Sequence, residues 1–182
     1  MAIIDDDSAR ERRRTLALLR QPERGGYLPR RQLAFNLATL DLYDGDGVAA
    51  WERLQRVWGW QASSTSMKIE PARIVYRDLC GRAAIAAMLD ERGRGRSLRR
   101  AALRAIRDLA GEVADWAHGH AHLLRAGLQA MEGASAAALA SYTAAEEVFV
   151  RTDMLLMACA ARDRRGILLG GVYLFRYLTR RD

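Results

Sequence analysis

Lysine is almost missing from this 182-residue chain: Lys68 stands alone among 29 basic side chains, and arginine supplies the rest. Such one-sidedness speaks of a GC-rich coding sequence more than of a binding surface. Proline is nearly as scarce, with Pro22, Pro29 and Pro71 each placed where a helix can begin. Cysteine occurs twice, as Cys80 and Cys159, with no C-x-x-C pair. That excludes a disulfide framework and a zinc ribbon, and it predicts two reduced core thiols in a cytoplasmic protein. The longest uncharged apolar run, near Gly166–Phe175, is too short to span a bilayer, so no membrane partner is expected. The opening Met-Ala-Ile-Ile-Asp-Asp-Asp lacks the basic-then-apolar order of a secretory leader. What is present is apolar mass, 50% of the residues, which excludes a wholly disordered chain. At this length folding buries roughly 70% of the chain's surface, enough for one core without a metal or disulfide.

The net charge of +7 at first suggests a nucleic-acid partner. Its distribution narrows that idea. Arg92, Arg94, Arg96, Arg99, Arg100, Arg104 and Arg107 fall in one stretch with no carboxylate among them, and they match the whole net charge. The remainder of the chain is balanced. This stretch is a candidate anion patch, for phosphate, nucleic acid or an acidic protein. Against it, no aromatic side chain interleaves the arginines, as single-strand binding would favour. A loop running into the wet face of a helix is the plainer reading, and the same holds for Arg12-Arg13-Arg14.

Apolar residues recur at three- and four-residue spacings throughout, and strand-like alternation is nearly absent. The spacing predicts helices over 8–20, 30–43, 47–60, 70–91, 97–110, 112–131, 134–151 and 153–168, with a short last one at 172–179. Leu33, Leu37 and Leu40 with Ala34 and Ala38 make one stripe; Ile74, Leu79, Ala83, Ala84, Ala87 and Met88 make another. Gly45 suits a left-handed helix stop, and Asp46 suits the cap of the next helix. Asp44-Gly45-Asp46-Gly47 resembles half a calcium loop, but Leu42 stands where an EF-hand with its glycine at Gly47 needs an oxygen ligand. The tryptophans Trp51, Trp58, Trp60 and Trp116 read as packing residues, with Trp60 as the most exposed.

A repeat underlies these helices. Ala38, Leu40, Gly45, Ala50, Leu54 and Val57 correspond to Ala126, Leu128, Gly133, Ala138, Tyr142 and Ala145, at a constant offset of 88 residues. A small residue lets a second helix approach, a glycine makes the turn, and a small and a large residue fill the groove. The interval pattern resembles the tetratricopeptide repeat (TPR), with His122 and Gln129 where that consensus prefers aromatics. The expected fold is all-α: about seven to eight helices in antiparallel pairs stacked as a TPR-like α-solenoid. The expected organisation is an Arg-rich N-terminal helix and turn over 1–25 and a single helical-repeat domain over 26–182.

The stretches Leu37-Ala-Thr-Leu-Asp-Leu-Tyr-Asp-Gly-Asp-Gly-Val-Ala-Ala-Trp and Arg73-Ile-Val-Tyr-Arg-Asp-Leu-Cys-Gly-Arg-Ala-Ala narrow the likeness. So do His122-Leu-Leu-Arg-Ala-Gly-Leu-Gln-Ala and Asp153-Met-Leu-Leu-Met-Ala-Cys-Ala-Ala-Arg-Asp-Arg-Arg. Together, over about residues 26–171, they resemble the C-terminal TPR-like region of large multidomain bacterial serine/threonine protein kinases, such as those of myxobacteria. The resemblance implies a cytoplasmic signalling module that binds a protein partner, such as a kinase domain. The ending Tyr173-Leu-Phe-Arg-Tyr departs from that family's usual tail.

Catalytic signatures are lacking. Gly93-Arg94-Gly95 continues as Arg96-Ser97-Leu98 instead of completing G-x-G-x-x-G, and neither H-R-D nor D-F-G occurs. A P-loop, G-x-S-x-G and H-E-x-x-H are missing too. The expectation is therefore a non-catalytic module without a cofactor. All three histidines do lie together, at His118, His120 and His122. On a helix His118 and His122 share a face, with Asp115 one turn earlier, so Asp115, His118 and His122 are the one candidate zinc set. Gly119 weakens that helix and no fourth ligand is near in sequence. For partner binding, polar residues on the first helices of the pairs are the candidates: Asn36, Asp41, Arg77, Arg125 and Gln129.

Overall fold

The computed structural model describes residues 8–19, 27–61, 68–90 and 95–179. Among them all regular structure is helical, in eight helices: α1 (Ser8–Leu19), α2 (Tyr27–Tyr43), α3 (Gly47–Gln61), α4 (Glu70–Asp90), α5 (Gly95–Ala110), α6 (Asp115–Met131), α7 (Ser135–Arg151) and α8 (Leu155–Thr179). Pro29 and Pro71 sit in the first turns of α2 and α4, where a missing N–H costs nothing. One expected boundary is absent: α8 runs through Gly170-Gly171 as one helix of 25 residues instead of stopping there. Glycine lowers helix propensity by about 1 kcal/mol but ends a helix only when it turns left-handed. Among the described glycines only Gly45 and Gly133 do so. None of the helices among the described residues is long and apolar enough to cross a membrane.

The chain divides into two compact units, residues 1–101 and 102–182, with the division inside α5. Helix α1 belongs to the first. On α5 Leu98, Ala102, Ala105, Ile106 and Leu109 are buried in one apolar stripe, with Ala101 half-buried beside it.

In the first unit, the core joins α2, α3 and α4 through Phe35, Ala38, Ala50, Leu54, Tyr76, Leu79 and Ala83. Trp51, Leu42 and Cys80 pack against it. Phe35 stacks on Tyr76 with ring centroids 5.5 Å apart. Burial pushes the Cys80 thiol up to about 12, so it behaves as an inert core group. Cys159, by contrast, is exposed on α8, which corrects the expectation of a second core thiol. It lies on the outer face of the helix, between the buried Ala158 and Ala161 in sequence but not in direction. Trp58 and Trp60 have side chains outside the described set. Gly47, at the first residue of α3, faces α4 so closely that a Cβ there would stand 2.5 Å from Ala86 C and Ala87 N. Two helix backbones meet at that point.

In the second unit, Phe149 of α7 is the central side chain, fully buried among Ala145, Ala158 and Ala161 with Leu123, Met154 and Met157 around them. Its ring also meets the edge of His120 on α6, with centroids 5.1 Å apart, and His120 in turn meets Trp116 at 5.6 Å. Gly119 makes room for this ring, because a Cβ there would lie 2.6 Å from Phe149 Cε1.

The turns repeat one design. In the turn from α2 to α3, Asp44 N–H donates to Leu40 O, Gly45 N–H to Leu42 O and Asp46 N–H to Asp41 O. From α6 to α7 the same bonds run from Glu132 to Leu128, Gly133 to Ala130 and Ala134 to Gln129. Every donor and acceptor is shifted by 88 residues. A third copy joins α7 to α8, from Thr152 to Val148, Asp153 to Val150 and Met154 to Phe149. The central residue is left-handed in all three, with φ of +81° at Gly45, +76° at Gly133 and +59° at Asp153. Asp is among the few residues with a side chain that tolerate this region. The six-residue closure satisfies helix carbonyls that would otherwise be orphaned. As expected, Asp44–Gly47 is a helix stop and cap: Asp46 Oδ1 accepts the Ala49 N–H at 2.8 Å.

Candidate functional site

In two of the three helix pairs joined by this turn the same two positions carry a polar bond. In the first, Arg53 Nε of α3 donates to Asp41 Oδ2 of α2 at 2.7 Å. In the second, Ser141 Oγ of α7 donates to Gln129 Oε1 of α6, also at 2.7 Å. Asp41 and Gln129 are 88 residues apart, as are Arg53 and Ser141. In the third pair, the positions after a further 20 residues are Phe149 and Ala161, and the link is apolar. Asp41 was a candidate for a partner-lining surface, and the structure corrects this. Only 2% of it is exposed, because Arg53 from α3 and Arg12 from α1 both close on its carboxylate. A residue chosen for polarity alone proves to be polar because it fastens three helices.

The other lining candidates lie where a partner can reach them in part. Asn36 is exposed and accepts from Gln32 Nε2 at 3.1 Å. Arg77, Arg125 and Gln129 are half-buried. Arg125 Nη1 lies 3.3 Å from His122 Nδ1.

A small–large pair lies at i and i+16 in two of the three helix pairs: Ala38 with Leu54 and Ala126 with Tyr142, all buried. At the same positions of α7 and α8 stand Glu146 and Arg162. Arg162 donates from Nε to Glu146 Oε1 at 2.7 Å, and its Nη2 lies 2.6 Å from the same oxygen. Arg165 Nη1 lies 3.0 Å from Glu146 Oε2 and donates to Thr143 Oγ1 at 3.1 Å. The carboxylate is thus clasped by two guanidiniums, where the other pairs carry hydrocarbon. Beside it runs an open groove of about 390 Å³ lined by Thr143, Glu146, Glu147, Val150, Arg151 and Arg165. Val150 shows half its surface to solvent there, and Leu155 and Leu156, just beyond the turn, are more exposed still. The groove offers one apolar contact between carboxylates and guanidiniums. Sequence reasoning missed it; the signal was the replacement of the repeat's small–large pair by Glu146 and Arg162.

The histidines do not converge on a metal. His118 Nε2 is 2.9 Å from the Glu112 carbonyl oxygen, and His120 is buried against Trp116 and Phe149. Asp115 is exposed. Among the described residues no group of three histidines, cysteines or carboxylates is placed to hold a metal ion. The structure thus does not bring Asp115, His118 and His122 together as a metal site: helical spacing aligns the residues, but His118 Nε2 and His122 Nδ1 each meet a group nearby in the chain. His122 carries a pKa below the ordinary value, through burial first and then through Arg125 and His118. The unfolded chain therefore binds a proton more readily than the folded one, and stability rises with pH through that range. The second unit should be more stable above about pH 6.5, the ordinary histidine value, and should weaken as pH falls below it. Urea midpoints measured from pH 8 to pH 5 check this; His122→Gln should flatten the slope, and an unchanged slope counts against the assignment.

The arginine stretch is divided between what is described and what is not. Arg92 and Arg94 lie outside the described residues. Arg96, Arg99, Arg100, Arg104 and Arg107 are all exposed along α5, opposite its buried stripe. Arg13 and Arg14 are exposed on α1, but Arg12 is not part of that wet face. No family model, no curated protein and no solved structure matches this chain.

Proposed function

We propose that this chain is a non-catalytic helical-repeat module, a TPR-like α-solenoid of antiparallel pairs, that binds protein partners. Its setting in this reading is bacterial signalling, where it regulates or scaffolds a serine/threonine protein kinase. One observation carries the binding role: the repeated turn and packing design changes character in the α7–α8 pair, where charge replaces hydrocarbon beside an open groove with an exposed valine. The kinase association is supported by the resemblance of residues 26–171 alone.

Val150→Asp and Arg151→Glu change exposed residues, so each should shift folding stability by no more than about 0.5 kcal/mol. Bound to a resin, the wild-type chain should retain a protein partner from lysate of the cells that make it. The double variant should lose at least about tenfold of that partner, as loss of a central contact does in other interfaces. Recovery of no protein by the wild-type chain would sink the reading; equal recovery by both chains would move the surface away from this groove.

The alternative, an anion- or nucleic-acid-associated module, draws on the five exposed arginines of α5. It requires binding to duplex or single strands that falls steeply with salt. No binding at low salt removes it.

A further inference from the structure

The polar link of the first helix pair differs from that of the second in one respect: it recruits a third helix. Gln129 is met by Ser141 within its own pair, whereas Asp41 also takes Arg12 from α1, Nη1 to Oδ1 at 2.5 Å. The other nitrogen of that guanidinium reaches Asp44 Oδ2 at 2.6 Å, so Arg12 bridges two carboxylates of α2 and its turn. Ser8, one helical turn before Arg12, donates to Asp44 as well; together these contacts hold the Asp44 carboxyl below the usual carboxylate range. The same two partners raise the Arg12 guanidinium.

Among the residues of α1 whose side chains are described, 8–17, the inward positions are polar. Ser8, Glu11, Arg12 and Thr15 are its less exposed positions, while Leu16 and Ala17 face outward. Thr15 is the one fully buried side chain among them. A helix of twelve residues is marginal without tertiary support, and over residues 8–17 the inward positions offer little apolar area to supply it. Charge-assisted hydrogen bonds are the strong contacts that these residues make.

We propose that α1 is an ionically latched arm: Arg12 holds it over Asp41 and Asp44, and its release, without unfolding of α2–α4, is a conformational switch that uncovers this end of α2. With Arg12 in place the four groups Arg12, Arg53, Asp41 and Asp44 are neutral as a set. With the arm released, Asp41, Asp44 and Arg53 carry one net negative charge, and a buried carboxylate meets solvent. The arm needs no partner to open, so its behaviour is separable from the module's binding role.

The test is hydrogen exchange of the full chain, read by mass spectrometry, with carbodiimide labelling of Asp41 and Asp44 in parallel. Arg12→Ala should speed exchange of the α1 amides about ten- to a hundredfold, the range that loss of hydrogen bonds to charged groups implies. Raising salt from about 50 to 500 mM should act in the same direction on the wild-type chain. Asp41 should become labelled in Arg12→Ala, and Arg12→Lys should fall between the two because it keeps the charge without the fork. Amides of α2–α4 and α6–α7 should keep their protection. If α1 exchanges equally in wild type and Arg12→Ala, packing holds the arm and the proposal fails. It fails equally if α2–α4 lose protection together with α1, since α1 is then an integral part of the unit.

Discussion

Gly47→Ala should destabilise the first unit by about 2–3 kcal/mol, although alanine is the better helix former. The added methyl would stand 2.5 Å from Ala86 C and Ala87 N and 2.6 Å from Ala86 Cβ. Those atoms are backbone and Cβ atoms in the C-terminal turns of α4, so they cannot swing aside as a long side chain would. Overpacking typically costs about 1–3 kcal/mol, and backbone contact belongs at the upper end. The propensity gain of alanine over glycine offsets at most about 1 kcal/mol, less in a first turn. For a unit of about 100 residues this lowers the melting midpoint by roughly 10 °C or more. Gly45→Ala is the informative companion. Nothing lies within 4 Å of its missing Cβ, but its φ of +81° costs a side chain about 1–2 kcal/mol. Thermal melts of the two variants therefore separate close approach from backbone conformation. A Gly47→Ala protein as stable as wild type would mean that α3 and α4 lie further apart.

Phe149→Ala should cost the second unit about 3–5 kcal/mol, the range for removing a fully buried phenylalanine. The ring is shared by α6 and α8, so its loss loosens both contacts of α7 together. A sharper test follows from Gly119. In the wild-type chain Gly119→Ala drives a Cβ to 2.6 Å from the ring and should destabilise. In the Phe149→Ala background the obstacle is gone, and the same change should stabilise α6 by up to about 1 kcal/mol through helix propensity. The sign should reverse between backgrounds. Chemical denaturation of the four proteins of this cycle measures it, and additive effects would show that Gly119 and Phe149 do not meet.

Local periodicity made the helices legible, because an amphipathic stripe reports which face of a helix must be buried wherever its partner lies. Leu98, Ala102, Ala105, Ile106 and Leu109 on α5 make such a stripe, and Ala101 at its margin is half-buried. The turn at Gly45 was equally legible, since a left-handed stop and an Asx cap are made within a few residues of sequence. The matching turn after α7 was not, because Asp153 does there what glycine does elsewhere.

The candidate site was much harder to read. Glu146 and Arg162 look like ordinary helix charges until the 20-residue shift from the second turn to the third places them on the Ala–Tyr positions of the preceding pair. Asp41 looked like an exposed polar residue and is a buried tie; Arg12 looked like wet surface and is its partner. The His118–His122 spacing suggested a metal site that the ring contacts of neighbouring residues dissolve.

Helical character, the apolar faces and two glycine turns are properties of short windows, and those were present in the order of the residues. Which glycine is a hinge and which a point of contact depends on a second helix tens of residues away. Gly45 and Gly47, two positions apart, serve one purpose each for that reason. The same holds for charge: a carboxylate's worth is set by the groups that fold against it, and only the packed helices bring Arg12, Arg53, Arg162 and Arg165 to theirs.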